Sequence, residues 1–158
     1  MMENPVPSAA RLYVPDSAHV ALTFLAELRA AHRQLLVHVE QLEHACGTIP
    51  PDRSTLSTLR WRLGQSSLAR RLLSGRICDY FASRCAPGDA EKFQAVRAAD
   101  RALLATSGSH LGKWTADTIF ADWPGYCRDG RAIRQRTLEH VGLEQRILYP
   151  LLERAADA

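Results

Sequence analysis

The sequence lacks the features of a membrane-spanning, secreted or disulfide-stabilised protein. No apolar run approaches the roughly 20 residues that cross a bilayer. The first residues show no basic region followed by an apolar segment, so we expect no secretory signal. The four cysteines contain no C-x-x-C pair, which favours reduced thiols over a disulfide framework in such a chain. Together these absences predict a cytoplasmic protein that does not bind membranes.

Signals for catalysis and for nucleic-acid binding are also sparse. No glycine-rich phosphate loop is present, and no serine or cysteine lies in a nucleophile arrangement, so we expect a protein that is not an enzyme. The net charge of +3 is small. Arginines crowd the segment 60–84, but they do not share a helical face and lack interleaved exposed aromatic residues. This pattern favours a solvated surface over a nucleic-acid interface.

Strand-like alternation is missing as well, and apolar residues recur instead at helical spacing. Residues 1–15 contain three prolines and little periodicity, so we predict an extended N-terminal arm there. Four helices should follow, at about 16–46, about 54–84, from about 90 with a break near 107–112, and from about 124 or later to about 155. Short connections between them predict one all-α domain over residues 16–158, an up-down-up-down four-helix bundle.

Polar side chains interrupt the apolar stripe of every predicted helix. The interruptions, in chain order, are His32, Arg70, Asp100 and His140, with Glu144 one turn after the last of them. At 1.5 Å per residue, the four breaks lie roughly 15–22 Å from the same end of the predicted bundle. Because unpaired polar groups are unfavourable in an apolar core, we expect these side chains to meet in one interior cluster.

This pattern resembles the hemerythrin-like (HHE cation-binding) family. The resemblance is carried by His32 in the first helix and by His140, Glu144 and the Leu148-Tyr149-Pro150 segment in the last, and it covers about residues 18–154. It implies a pair of irons in the bundle core, held by histidines from all four helices and by bridging carboxylates from the second and fourth. The implied activities are oxygen binding, oxygen or iron sensing, and iron handling.

The second and third helices depart from the ligand set that the resemblance implies. The second helix carries Arg70 and Ser74 in place of a histidine and a bridging glutamate. The third carries Asp100 in place of a histidine, and Leu104 one turn later cannot bind a metal. A guanidinium keeps its positive charge in proteins and would repel two nearby dications. We therefore expect no di-iron centre.

Two arrangements of the cluster are open at this point. In the first, no cofactor is bound, and Arg70 makes charge-assisted hydrogen bonds to Glu144 and Asp100 in an interior ion-pair cluster that His32 and His140 complete. In the second, His32, Asp100, His140 and Glu144 hold a single iron or zinc ion and Arg70 turns aside.

The two arrangements predict different functions. The ion-pair cluster predicts a non-enzymatic binding or regulatory module, whereas the single metal ion predicts a protein that senses or handles oxygen, iron or oxidants. A third interpretation is assembly with a protein partner or a second copy of the chain through exposed helix faces. None of the three names a ligand.

Overall fold

The computed structural model describes residues 17–158, and its regular elements are all helices. The α-helices are α1 (Ser17–Cys46), α2 (Arg53–Ala82), α3 (Ala90–Lys113), α4 (Ala116–Ala121) and α5 (Trp123–Asp157), and a 3-10 turn, Pro87–Asp89, precedes α3. The expected all-α class is confirmed for this part of the chain, in which no strand occurs. The predicted arm over residues 1–15 lies outside the described residues. None of the described helices combines the length and hydropathy that a bilayer-crossing segment needs.

Short polar residues fix where the helices begin. The Asp52 carboxylate accepts a hydrogen bond from the backbone N–H of Thr55 at the start of α2, and Asp122 accepts one from Gly125 at the start of α5. Such caps satisfy backbone donors that have no partner within the helix. The α5 helix corresponds to the fourth predicted helix and begins ahead of Gly130, which had left its start uncertain.

Two predicted irregularities differ from the structure. The α3 helix runs without interruption through Ser107, Gly108 and Gly112, where a break was expected, and ends only at Lys113. The expected break is displaced to the connection that leads into the short helix α4. Pro150 lies inside α5, which continues to Asp157.

Apolar core residues lie on both sides of the predicted polar cluster, towards each end of the long helices. One apolar cluster joins the start of α1 to the end of α2, the start of α3 and the end of α5. A second lies at the opposite end and includes Leu42, Trp114, Ile119, Trp123 and Tyr126. The α1 helix packs against α2 and α5, and α3 packs against α5, whereas α2 and α3 approach each other along a smaller part of their length.

The separation of α2 from α3 changes the burial expected for α3. Within α3, only Phe93 and Val96 are buried, and Trp114 is buried just after its end, whereas Leu103 and His110 are half-buried. Helical periodicity identifies the face of α3 that turns inward, but a face is buried only where a neighbouring helix covers it.

Candidate functional site

The five side chains of the predicted cluster lie together inside the molecule. His32 comes from α1, Arg70 from α2, Asp100 from α3, and His140 and Glu144 from α5, so that all four long helices contribute. Four of the five are buried, and the side chain of Asp100 is 20% exposed. One cluster of polar groups therefore joins helices that are far apart in sequence.

Arg70 lies between the two carboxylates. Its Nη1 donates to Glu144 Oε1 at 2.7 Å, and its Nη2 donates to Asp100 Oδ1 at 2.7 Å. The residue is only 3% exposed. Hydrogen bonds between charged groups at this distance are short and strong, so the guanidinium compensates two carboxylates at once.

Glu144 is the acceptor at the centre of the cluster and is 0% exposed. Besides Arg70, its carboxylate accepts from His32 Nε2 at 2.7 Å and from His140 Nε2 at 3.2 Å. Burial by itself raises the pKa of Glu144, but the hydrogen bonds from His140 and His32 and the charge of Arg70 outweigh it and hold the pKa well below its ordinary value. The buried carboxylate is therefore ionised.

Tyr149 extends the cluster beyond the residues that the sequence pattern selected. Its hydroxyl lies 2.7 Å from His32 Nδ1. Since the ionised Glu144 can only accept, His32 Nε2 carries a proton and donates it to this carboxylate, while Nδ1 pairs with the Tyr149 hydroxyl. Burial raises the pKa of Tyr149, so its hydroxyl stays protonated. Its place in the Leu148-Tyr149-Pro150 segment was the only signal in the sequence.

His140 completes the cluster on the side of Asp100. Its Nε2 lies 3.6 Å from Asp100 Oδ1 in addition to its contact with Glu144. Two buried nitrogen atoms of the cluster, His140 Nδ1 and Arg70 Nε, have no hydrogen-bond partner among the described residues. Glu144 thus uses both of its oxygen atoms and Asp100 uses Oδ1, while two nitrogen atoms of the cluster have no partner among the described residues.

These residues do not fit the di-iron centre that the resemblance implies. The Arg70 guanidinium occupies the space between the carboxylates, where dications would be repelled. His32, Asp100, His140 and Glu144, which the second arrangement assigns to a single metal ion, contact Arg70 or one another. Within residues 17–158, no group of three or more histidine, cysteine, aspartate or glutamate side chains is placed to hold a metal ion.

A second buried arginine, Arg134 on α5, was not selected by the sequence pattern. It is 4% exposed. Gly130, one turn earlier, leaves room for it, because a Cβ at that position would lie 2.9 Å from Arg134 Nη1. The only signal in the sequence was helical spacing, since Gly130, Arg134, Thr137 and Val141 follow one another at steps of four, three and four residues.

The site thus consists of a buried ion-pair cluster in which Arg70 lies between Glu144 and Asp100. In comparisons with known proteins, no family model, no curated protein and no solved structure matches this chain.

Proposed function

We propose that this protein is a hemerythrin-like, up-down-up-down four-helix bundle in which an ion-pair cluster takes the place of the metal centre, and that it acts as a non-enzymatic binding or regulatory module. The observation that carries the proposal is the position of Arg70, whose two terminal nitrogens bind Glu144 and Asp100. The packing of α1 on α2 and α5, and of α3 on α5, supports the bundle arrangement.

The charge of the cluster supports a metal-independent core. In a metal centre, the cation compensates the carboxylates and joins the helices that supply them. Here the guanidinium of Arg70 takes the role of that cation, because it connects α2 to α3 through Asp100 and to α5 through Glu144. His32 then connects α1 to the same carboxylate.

The hydrogen bonds that Glu144 makes within the cluster also support a role other than catalysis. A general acid or base must reach a substrate within hydrogen-bond distance. Glu144 is fully buried and uses both oxygen atoms within the cluster. The same contacts stabilise the ionised form, so the carboxylate is not poised to exchange a proton near neutral pH.

Elemental analysis tests the proposal. Protein purified without added metal, and protein incubated with ferrous iron or zinc and then desalted, should both contain far less than one metal ion per chain. A useful positive control is the variant R70H/S74E/D100H, which restores the ligand types that the resemblance implies. It should retain iron and absorb in the near ultraviolet and visible, as oxo-bridged iron does.

Near-stoichiometric iron or zinc in the unaltered protein, lost in the variant H140A, would overturn the proposal. That result would favour the single-metal protein that senses or handles oxygen, iron or oxidants. The loss in H140A distinguishes binding at the cluster from binding at surface histidines such as His19 and His44.

A further inference from the structure

A cleft of about 230 Å³ opens between α2 and α3, with α5 forming its floor. Leu63, Leu103 and Ile133 contribute to its apolar walls. Leu104 and Leu111, which are exposed, lie at its mouth. The cleft occupies the space that remains because α2 and α3 stay apart over much of their length.

Arg134 lines this cleft and lacks a partner for its charge. Its Nε and Nη1 are buried without a hydrogen bond, and no carboxylate among the described residues forms a salt bridge with it. A buried charge without a partner is strongly unfavourable. The fold nevertheless keeps Arg134, with free donors, at the floor of an apolar cleft.

The other charged side chains of the cleft add to the positive potential. Arg60 and Arg71 also line it, and the single acidic lining residue, Asp100, is engaged by Arg70. The remaining titratable groups of the wall are His110 and Tyr126. Burial lowers the pKa of His110 and raises that of Tyr126 to about 12, so neither ring adds a fixed charge near neutral pH. Apolar walls with excess positive charge are complementary to an anion that carries a hydrocarbon chain.

The volume limits the size of that anion. An engineered apolar cavity of about 150 Å³ binds benzene, so a cleft of this size suits a molecule of roughly ten non-hydrogen atoms. A saturated carboxylate of about eight carbons has that size, and its single carboxylate matches Arg134, the one buried arginine of the cleft that lacks a carboxylate partner among the described residues.

We propose that the cleft binds a medium-chain monocarboxylate, whose carboxylate accepts hydrogen bonds from Arg134 and whose chain lies along Leu63, Leu103 and Ile133. This inference rests on the proposed function, because it names the chemical class of the ligand that the binding module takes. The site itself depends on Arg134 and the cleft, not on Arg70.

Calorimetric titration with octanoate, below its micelle-forming concentration, tests the site. We expect saturable binding of one octanoate per chain and no measurable binding of 1-octanol or acetate at the same concentrations. Acetate lacks the chain, and 1-octanol lacks the charge that Arg134 requires. Equal binding of octanoate and 1-octanol would overturn the proposal, as would no binding of octanoate.

Two variants locate the binding. R134M should weaken octanoate binding about tenfold or more, because it removes the charged donors. It should unfold at the same or a higher denaturant concentration, since a buried unpaired charge is removed. R131M changes an exposed arginine of the same helix and should bind octanoate normally. S107F, which fills the cleft from α3, should also block binding while Arg134 is intact.

Unchanged octanoate affinity in both R134M and S107F would overturn the site. Failure of this titration leaves the metal analysis unaffected, since that experiment concerns Arg70 and Glu144. Stoichiometric metal in the unaltered protein together with octanoate binding lost in R134M would overturn the proposed function while retaining the cleft.

Discussion

At the scale of single residues, the contrast between Arg70 and Arg134 is the most informative feature. Both are buried guanidinium groups in one small protein. Arg70 binds two carboxylates, whereas Arg134 lines a cleft with two of its nitrogen atoms free. Buried charges are tolerated when they are paired. The first arginine is therefore compensated by the protein's own residues, and the second is the group that the proposed anion would compensate.

The ionisation of Glu144 makes stability depend on pH. Because its folded pKa lies below the ordinary value of 4.5, the carboxylate stabilises the fold above about pH 4.5, and this contribution is lost as the pH falls further toward the folded pKa. The variant E144Q should be less stable than the unaltered protein by about 3 kcal/mol at pH 7. The difference should shrink in acid.

Urea unfolding at several pH values between 7 and 3 measures this effect. Three other carboxylates have pKa values that are lowered by hydrogen bonds from neighbouring side chains, namely Asp52, Asp89 and Asp129. They contribute alike to both proteins and cancel in the difference. E139Q, on the exposed face of the same helix, is the matched control and should show little change. A stability difference independent of pH would contradict the assigned role of Glu144.

At the scale of helices, α5 carries most of the site. It supplies His140, Glu144, Tyr149 and Arg134, so its rotation about its own axis sets the cluster and the cleft floor together. Its start is fixed by Asp122, which caps Gly125. A Cβ at Gly125 would lie 2.1 Å from Asp122 Oδ2, so only glycine allows the cap to form without movement.

Two glycine-to-alanine variants separate this steric effect from helix propensity. G125A should destabilise the protein by about 1 kcal/mol or more, because the Asp122 cap is displaced. G108A, in the exposed interior of α3 with no atom within 4 Å of the new Cβ, should stabilise it by about 0.5–1 kcal/mol. Thermal unfolding measures both. Unchanged or increased stability of G125A would show that the Asp122 cap does not determine the start of α5.

At the scale of the whole molecule, Arg70 connects three of the four long helices, and His32 joins α1 to the same cluster through Glu144. Removing the charge of Arg70 leaves Glu144 and Asp100 without a cation. R70M should therefore lower the free energy of unfolding by about 3–5 kcal/mol, as broken buried ion pairs do. Denaturant unfolding provides the measurement.

A second variant tests the reason for that loss. R70M/E144Q removes the fully buried carboxylate together with the arginine, so it should be more stable than R70M alone. The two substitutions should be strongly non-additive, since they act on one network. Additive effects would mean that Arg70 stabilises the protein by packing rather than by charge.

Several features of the site follow from local pattern. His32, Arg70, His140 and Glu144 each interrupt an apolar stripe, and each is buried, because an apolar stripe marks the inner face of a helix. Trp61, in contrast, is 65% exposed despite its large apolar side chain. A single aromatic residue carries no periodic information, so its burial could not be predicted in the same way.

The sequence by itself determined that the described chain is helical and which helix faces point inward, because both are encoded in spacing along one helix. Only the tertiary structure decided how closely neighbouring helices approach. That distance leaves Asp100 partly exposed, opens the cleft between α2 and α3, and places Arg134 at its floor. Contacts between helices depend on how the side chains of both partners pack, and no pattern within a single helix contains that information.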